Sequence, residues 1–99
     1  IQLIISIHRL VMSSLPPAGT PLNQHSLIAL EDWLAQLGAK KSYENPSSWR
    51  LEESKWTAEI ILGRDELCVV WKDEKLQNQR SFSYGFSRED VEAAINEGP

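Results

Sequence analysis

Two histidines, one cysteine and a set of adjacent carboxylates are the side chains here with catalytic or ligating potential. Metal binding needs three or four donors brought to one point, and sequence signatures place them at short fixed spacings. His8 and His25 share no helical turn, and neither lies near Cys68 in sequence. No metal and no other cofactor is therefore expected. A nucleophilic cysteine wants exposure and a neighbouring positive charge to hold it as thiolate. Cys68 stands instead in Leu67-Cys68-Val69-Val70, a run typical of a strand interior, and is expected to be a buried structural residue. Adjacent carboxylates occur at Glu31-Asp32, Glu52-Glu53, Asp65-Glu66, Asp73-Glu74 and Glu89-Asp90. Such pairs do acid and base work only when burial or repulsion drives their proton affinities apart. These fall in turns or first helical turns, where water solvates both. The five glycines are scattered singly, so no phosphate-cradling loop or nucleophile elbow is present, and no HExxH pair of zinc ligands occurs either. The chain is expected not to be an enzyme, and no catalytic residue is assigned.

What remains is recognition. The four tryptophans, Trp33, Trp49, Trp56 and Trp71, are many for 99 residues, and large aromatics serve both cores and binding hot spots. Trp33 and Trp71 fit core positions. Trp49 and Trp56 flank the polar stretch Glu52-Glu53-Ser54-Lys55 and, with Arg80, Tyr84 and Arg88, form the candidate partner-binding set. The competing account is that they cover the open face of a sheet. Ten Lys and Arg against fourteen Asp and Glu give a net charge of −4. Phosphate backbones are held by clustered positive charge, so nucleic acid is an unfavoured partner and a protein the favoured one. A single cysteine rules out an internal disulfide and suits a reducing, cytoplasmic setting.

The elements that must position these residues follow from periodicity. At 11.3 kDa one domain is expected, able to bury roughly two thirds of its extended-chain surface. Ile1 to Met12 is an apolar run too short to span a bilayer and without the order of charges of a signal peptide. Residues 1–11 are expected to be upstream sequence, with a flexible, proline-rich leader continuing to Gly19 and the domain occupying 20–99. No transmembrane segment is expected, and peripheral membrane contact stays open. Leu27, Leu30, Leu34 and Leu37 recur at helical spacing from Ser26, and Gly38 marks the helix end. Short strands are expected at Tyr43, at Trp49-Arg50-Leu51 and at Trp56–Leu62, with Leu67–Trp71 as an apolar central strand. A polar loop, Asp73–Gln79, then leads to a last strand, Arg80–Phe86, with one aromatic face. Ser87 is a helix N-cap with Asp90 placed to reach back and Phe86 to staple onto Val91. The fold class is α+β: helix, three- to four-stranded antiparallel sheet, helix, with both helices on one sheet face.

The C-terminal block Arg80-Ser81-Phe82-Ser83-Tyr84-Gly85-Phe86-Ser87-Arg88-Glu89-Asp90-Val91-Glu92-Ala93-Ala94-Ile95, continuing to Gly98-Pro99, resembles a small cyanobacterial and plastid family known as domain of unknown function 3143. Thr20-Pro21-Leu22-Asn23, Leu30-Glu31, Trp33-Leu34, Leu37-Gly38, Trp49, Trp56, Ala58 and Glu59 extend the similarity upstream, over roughly Thr20 to Pro99. The resemblance implies a lineage and no mechanism, because no activity is attached to the family. The expected function is a non-catalytic protein-binding or assembly accessory in a photosynthetic cell. Its rivals are an RNA- or ribosome-associated domain with the element order of double-stranded-RNA-binding domains, opposed by Glu89 and Asp90 in the last helix, and a small oligomeric enzyme. An open edge or face in so small a domain also favours a homodimer.

Overall fold

A computed structural model describes residues 15–99. After a short 3-10 turn, Leu22–Gln24, come helix α1 (Leu27–Gln36), strands β1 (Lys40–Lys41), β2 (Ser48–Glu52), β3 (Thr57–Leu62), β4 (Glu66–Lys72) and β5 (Gln77–Ser83), and helix α2 (Arg88–Glu97). The strands form one antiparallel sheet in chain order, β1-β2-β3-β4-β5. Each connection is short because antiparallel neighbours need no crossover.

Side chains of a strand alternate between faces, and here one face takes nearly all the apolar residues. The register sets Trp49 beside Ile60, Ile60 beside Val69, Leu51 beside Ala58, Ala58 beside Trp71, and Leu67 beside both Leu62 and Phe82. With the exception of the half-buried Leu62, these join Leu30, Trp33 and Leu34 of α1 and Val91 and Ile95 of α2 in one buried cluster. Both helices therefore lie on the same side of the sheet. The indoles of Trp33 and Trp71 cannot be buried without partners for their N–H groups. Trp33 Nε1 donates to Glu92 Oε1 of α2 at 2.8 Å, and Trp71 Nε1 to the carbonyl of Ile95 at 3.2 Å.

The helix ends are closed as their sequences imply. Ser26 accepts from the amide of Ala29 at 3.0 Å, and Ser87 from that of Asp90 at 3.2 Å. Gly38 adopts φ +99, a left-handed conformation that takes the chain out of α1. The return bond from Asp90 is not among the described hydrogen bonds, and the half-exposed Phe86 packs edge-on to Phe82, with ring centroids 6.3 Å apart. The remaining free amides of α2 find unexpected partners. Arg88 N donates to Thr20 O at 3.0 Å and Glu89 N to Ala18 O at 2.9 Å, while Arg88 Nη2 reaches Pro16 O at 3.0 Å. Leu15 packs against the core.

Several expectations change accordingly. The sheet has five strands, not three or four. The additional strand β1 is two lysines long, too short and too polar to leave an alternating signal, and Tyr43, expected in a strand, stands fully exposed in the turn after it. Residues 77–79, expected in a polar loop, begin β5, whose polar character reflects its place at the sheet edge. That strand ends at Ser83, whose carbonyl accepts from Phe86 N at 3.1 Å in a turn. Leu67–Trp71 is buried on one face only. Residues 15–19, expected to be loose, are bound to the start of α2; the expectations for residues 1–14 lie outside the described residues.

Replacing Ser87 by Ala removes the acceptor for the Asp90 amide. It is expected to cost about 1 kcal/mol, measured as a lower urea midpoint with an unchanged transition slope.

Candidate functional site

With both helices on one side, no described element covers the other face of the sheet. Its side chains follow from register: Ser48, Ile61, Cys68 and Ser81 in one cross-strand row; Lys40, Arg50, Glu59, Val70 and Gln79 in the next; Glu52, Thr57, Lys72 and Gln77 in the third. Ile61, Cys68 and Val70 are half-buried, and charged residues surround them. Lys40, Arg50 and Lys72 face Glu52, Glu59 and Glu66, so this face is formally neutral in a chain of net charge −4.

A depression of about 300 Å³ opens on it, lined by Ser42, Ser48, Arg50, Thr57, Glu59, Val70 and Lys72. Ser48 is buried and donates its hydroxyl to Glu59 Oε2 at 2.6 Å, which fixes that carboxylate over the strands. Arg50 pairs with Glu52 at 3.2 Å. Both partners are well exposed, so the pair contributes little to stability and is free to exchange for an incoming group. Cys68, expected to be buried, lies half-exposed on this face, and its sulfur accepts from Gln79 Nε2 at 3.3 Å. The arrangement offers paired charges, amide donors and a small apolar centre, a chemistry of contact. Among the described residues no three His, Cys, Asp or Glu side chains converge as metal ligands would.

The residues singled out from sequence lie elsewhere. Trp49, at 7% exposure, belongs to the core on the helix side, although its Nε1 has no partner among the described residues. Half-buried Trp56 precedes β3 and lies under Gly98; a Cβ at that glycine would stand 2.7 Å from the indole nitrogen. Arg80 shares a cross-strand row with Val69, hence the helix side, and stacks its guanidinium carbon 4.9 Å above the Phe82 ring. Tyr84 lies past the end of β5, its hydroxyl donating to Gly63 O at 2.5 Å, and Arg88 opens α2 with its bond to Pro16. Arg80, Tyr84 and Arg88 sit on or just after β5; Trp49 and Trp56 do not join them. The residues of the uncovered face were missed because attention went to the large aromatics. The signal for them was the alternation itself: once Trp49, Ala58, Ile60, Val69 and Trp71 point inward, Arg50, Glu59, Ile61, Cys68 and Val70 must point outward.

Over residues 37–98, which include all five strands and α2, the sequence matches the family model described as protein of unknown function (DUF3143). The chain belongs to the DUF3143 family. No curated protein and no solved structure matches it. The DUF3143 match takes in the whole uncovered face and omits α1, so this face is part of what the family pattern describes.

Burial first, and then the nearby Asp65 carboxylate, push the Tyr84 hydroxyl above the ordinary phenol range. A raised proton affinity in the folded state gives stability that is complete below the unfolded value, about pH 10, and is lost as pH rises through the folded one. Urea midpoints should accordingly fall in alkali above about pH 10, and Tyr84→Phe should flatten that fall. The same change, by removing the bond to Gly63, should cost about 1 kcal/mol at neutral pH.

Proposed function

We propose that this DUF3143 protein is a non-catalytic protein-binding module, an assembly or regulatory accessory, whose docking surface is the uncovered face of the sheet. The observation that carries this reading is the one-sided layering: two helices on one face, and on the other a neutral mosaic of Lys40, Arg50 and Lys72 with Glu52, Glu59 and Glu66 around Ile61, Cys68 and Val70. Interfaces bury a small apolar centre inside a polar rim, and this mosaic has that composition. Of the residues first singled out, Arg80 lies on the helix side, Tyr84 and Arg88 are engaged with Gly63 and Pro16, and Trp49 supports the surface from beneath. A cytoplasmic place in a photosynthetic cell is part of the proposal and is supported by the family resemblance and by the single, unpaired cysteine.

The reading is tested with the full chain as bait in extract fractions, soluble and membrane, quantified by mass spectrometry. Val70→Glu puts a charge at the centre of the face at a half-exposed position and should reduce partner recovery by roughly tenfold or more, with the tryptophan circular dichroism unchanged. Leu27→Ala, on exposed helix surface, should leave recovery as it was. Equal recovery by both variants would refute the face as the docking surface.

A further inference from the structure

The two edges of the sheet are built differently. Edge strands invite pairing with other chains, and proteins blunt them by shortness and by lysines. β1 has both devices: it consists only of Lys40 and Lys41, and Lys41 is tied to Glu31 at 2.8 Å. The opposite edge, β5, runs seven residues, contains no proline and has Arg80 as its one charge. Gln77 through Ser81 are exposed.

The direction of the unpaired backbone groups can be deduced. At the β4–β5 turn Asp73 N donates to Leu76 O at 3.0 Å. Bonding alternates along antiparallel strands, so Asn78, Arg80 and Phe82 bond to β4, while the amides and carbonyls of Gln77, Gln79 and Ser81 turn outward. The Gln79 amide agrees, donating to its neighbour's side chain, Asn78 Oδ1, at 3.0 Å. The chain shields the stretch just beyond: Asn23 N donates to Tyr84 O at 2.8 Å and Leu22 N to Phe86 O at 3.0 Å. Among the described residues nothing pairs alongside Gln77–Ser81.

We propose that β5 is a self-pairing edge, on which two copies of this chain join antiparallel about a two-fold axis at Gln79 into one continuous sheet. The side chains select that axis. Centring the pair on Arg80 would overlap the strands fully but set the two Arg80 side chains opposite each other, with Cα atoms about 4.5 Å apart, and directly opposed like charges are destabilising. Centring it on Ser81 drives the second copy into the Pro21–Asn23 segment. With the axis at Gln79, the two Gln79 residues exchange both backbone bonds, and Gln77 does the same with Ser81 of the other copy. Arg80 then faces Asn78, and Leu76, 65% exposed in the single chain, meets Phe82. Asn78 gives up its bond to the Gln79 amide and becomes the partner of a guanidinium. This edge is separate from the uncovered face and stands or falls without it.

Sedimentation velocity of the full chain, from low to high micromolar concentration, should show a monomer giving way to a dimer. Amide exchange at Gln77, Gln79 and Ser81 should slow as the dimer forms. Ser81→Pro deletes an outward N–H at an edge position where proline is tolerated; it should weaken dimerisation by roughly tenfold or more. Asn78→Asp puts a carboxylate opposite each Arg80 and should tighten dimerisation by about fivefold. Should Ser81→Pro lose its tryptophan circular dichroism, the amide-exchange result on the unaltered chain decides. A monomer at every concentration overturns the proposal. So does a dimer that leaves those amides unprotected, or protection that appears only when a different protein is added.

Discussion

The structure depends on covering one apolar face of a five-stranded sheet with two ten-residue helices. Neither helix is long enough to be stable alone in water, and a sheet with Ile60, Leu67, Val69 and Trp71 exposed would not stay dispersed. The two needs are met together, and the meeting point is fixed by indoles. Trp33 reaches from α1 to Glu92 on α2, and Trp71 from the sheet to the last turn of α2. Each bond couples an N–H that must not be buried unpaired to a helix that must be held in place, so packing and polar satisfaction select the same arrangement.

From this one-sidedness the uncovered face follows. Most of the apolar residues of the strands are committed to the helix side, so the opposite face is assembled from their alternate neighbours, with Ile61, Cys68 and Val70 at its centre. Its formal neutrality in an acidic chain, and the Ser48–Glu59 bond that orients one of its carboxylates, give it a definite character. Its two lateral borders differ as well, one closed by lysines and one left as a long polar strand.

Much of this was legible in the sequence. The spacing of Leu30 and Leu34, the cap at Ser87 and the alternation around Ala58 and Ile60 predict α1, α2 and β3, although Leu27, expected in the same buried stripe, stands exposed at the start of α1. Polar edges were not legible: Lys40–Lys41 and Gln77–Gln79 are strands because β2 and β4 bond to their backbones, and their side chains record nothing of it. The same limit applies to residues 15–21. Proline there does prevent regular structure, but carbonyls at irregular positions can still accept, and those of Thr20, Ala18 and Pro16 do so. For the site, residue type misled. Trp49 drew attention as a binding aromatic and proves to be core, whereas the exposed face is made of residues ordinary in type and distinctive only in placement.

The contact between residues 16–20 and the first turn of α2 has a kinetic meaning. The donors that those carbonyls accept from, the Arg88 and Glu89 amides and the Arg88 guanidinium, lie some seventy positions further along the chain. Such closure is the slow, entropically costly kind. Synthesis proceeds from the N-terminus, so α1 and the strands emerge before α2, which holds Val91 and Ile95. The core therefore cannot be completed until α2 has left the ribosome. Until then the nascent sheet carries its apolar face half-covered, and the finished domain forms in one late, concerted step.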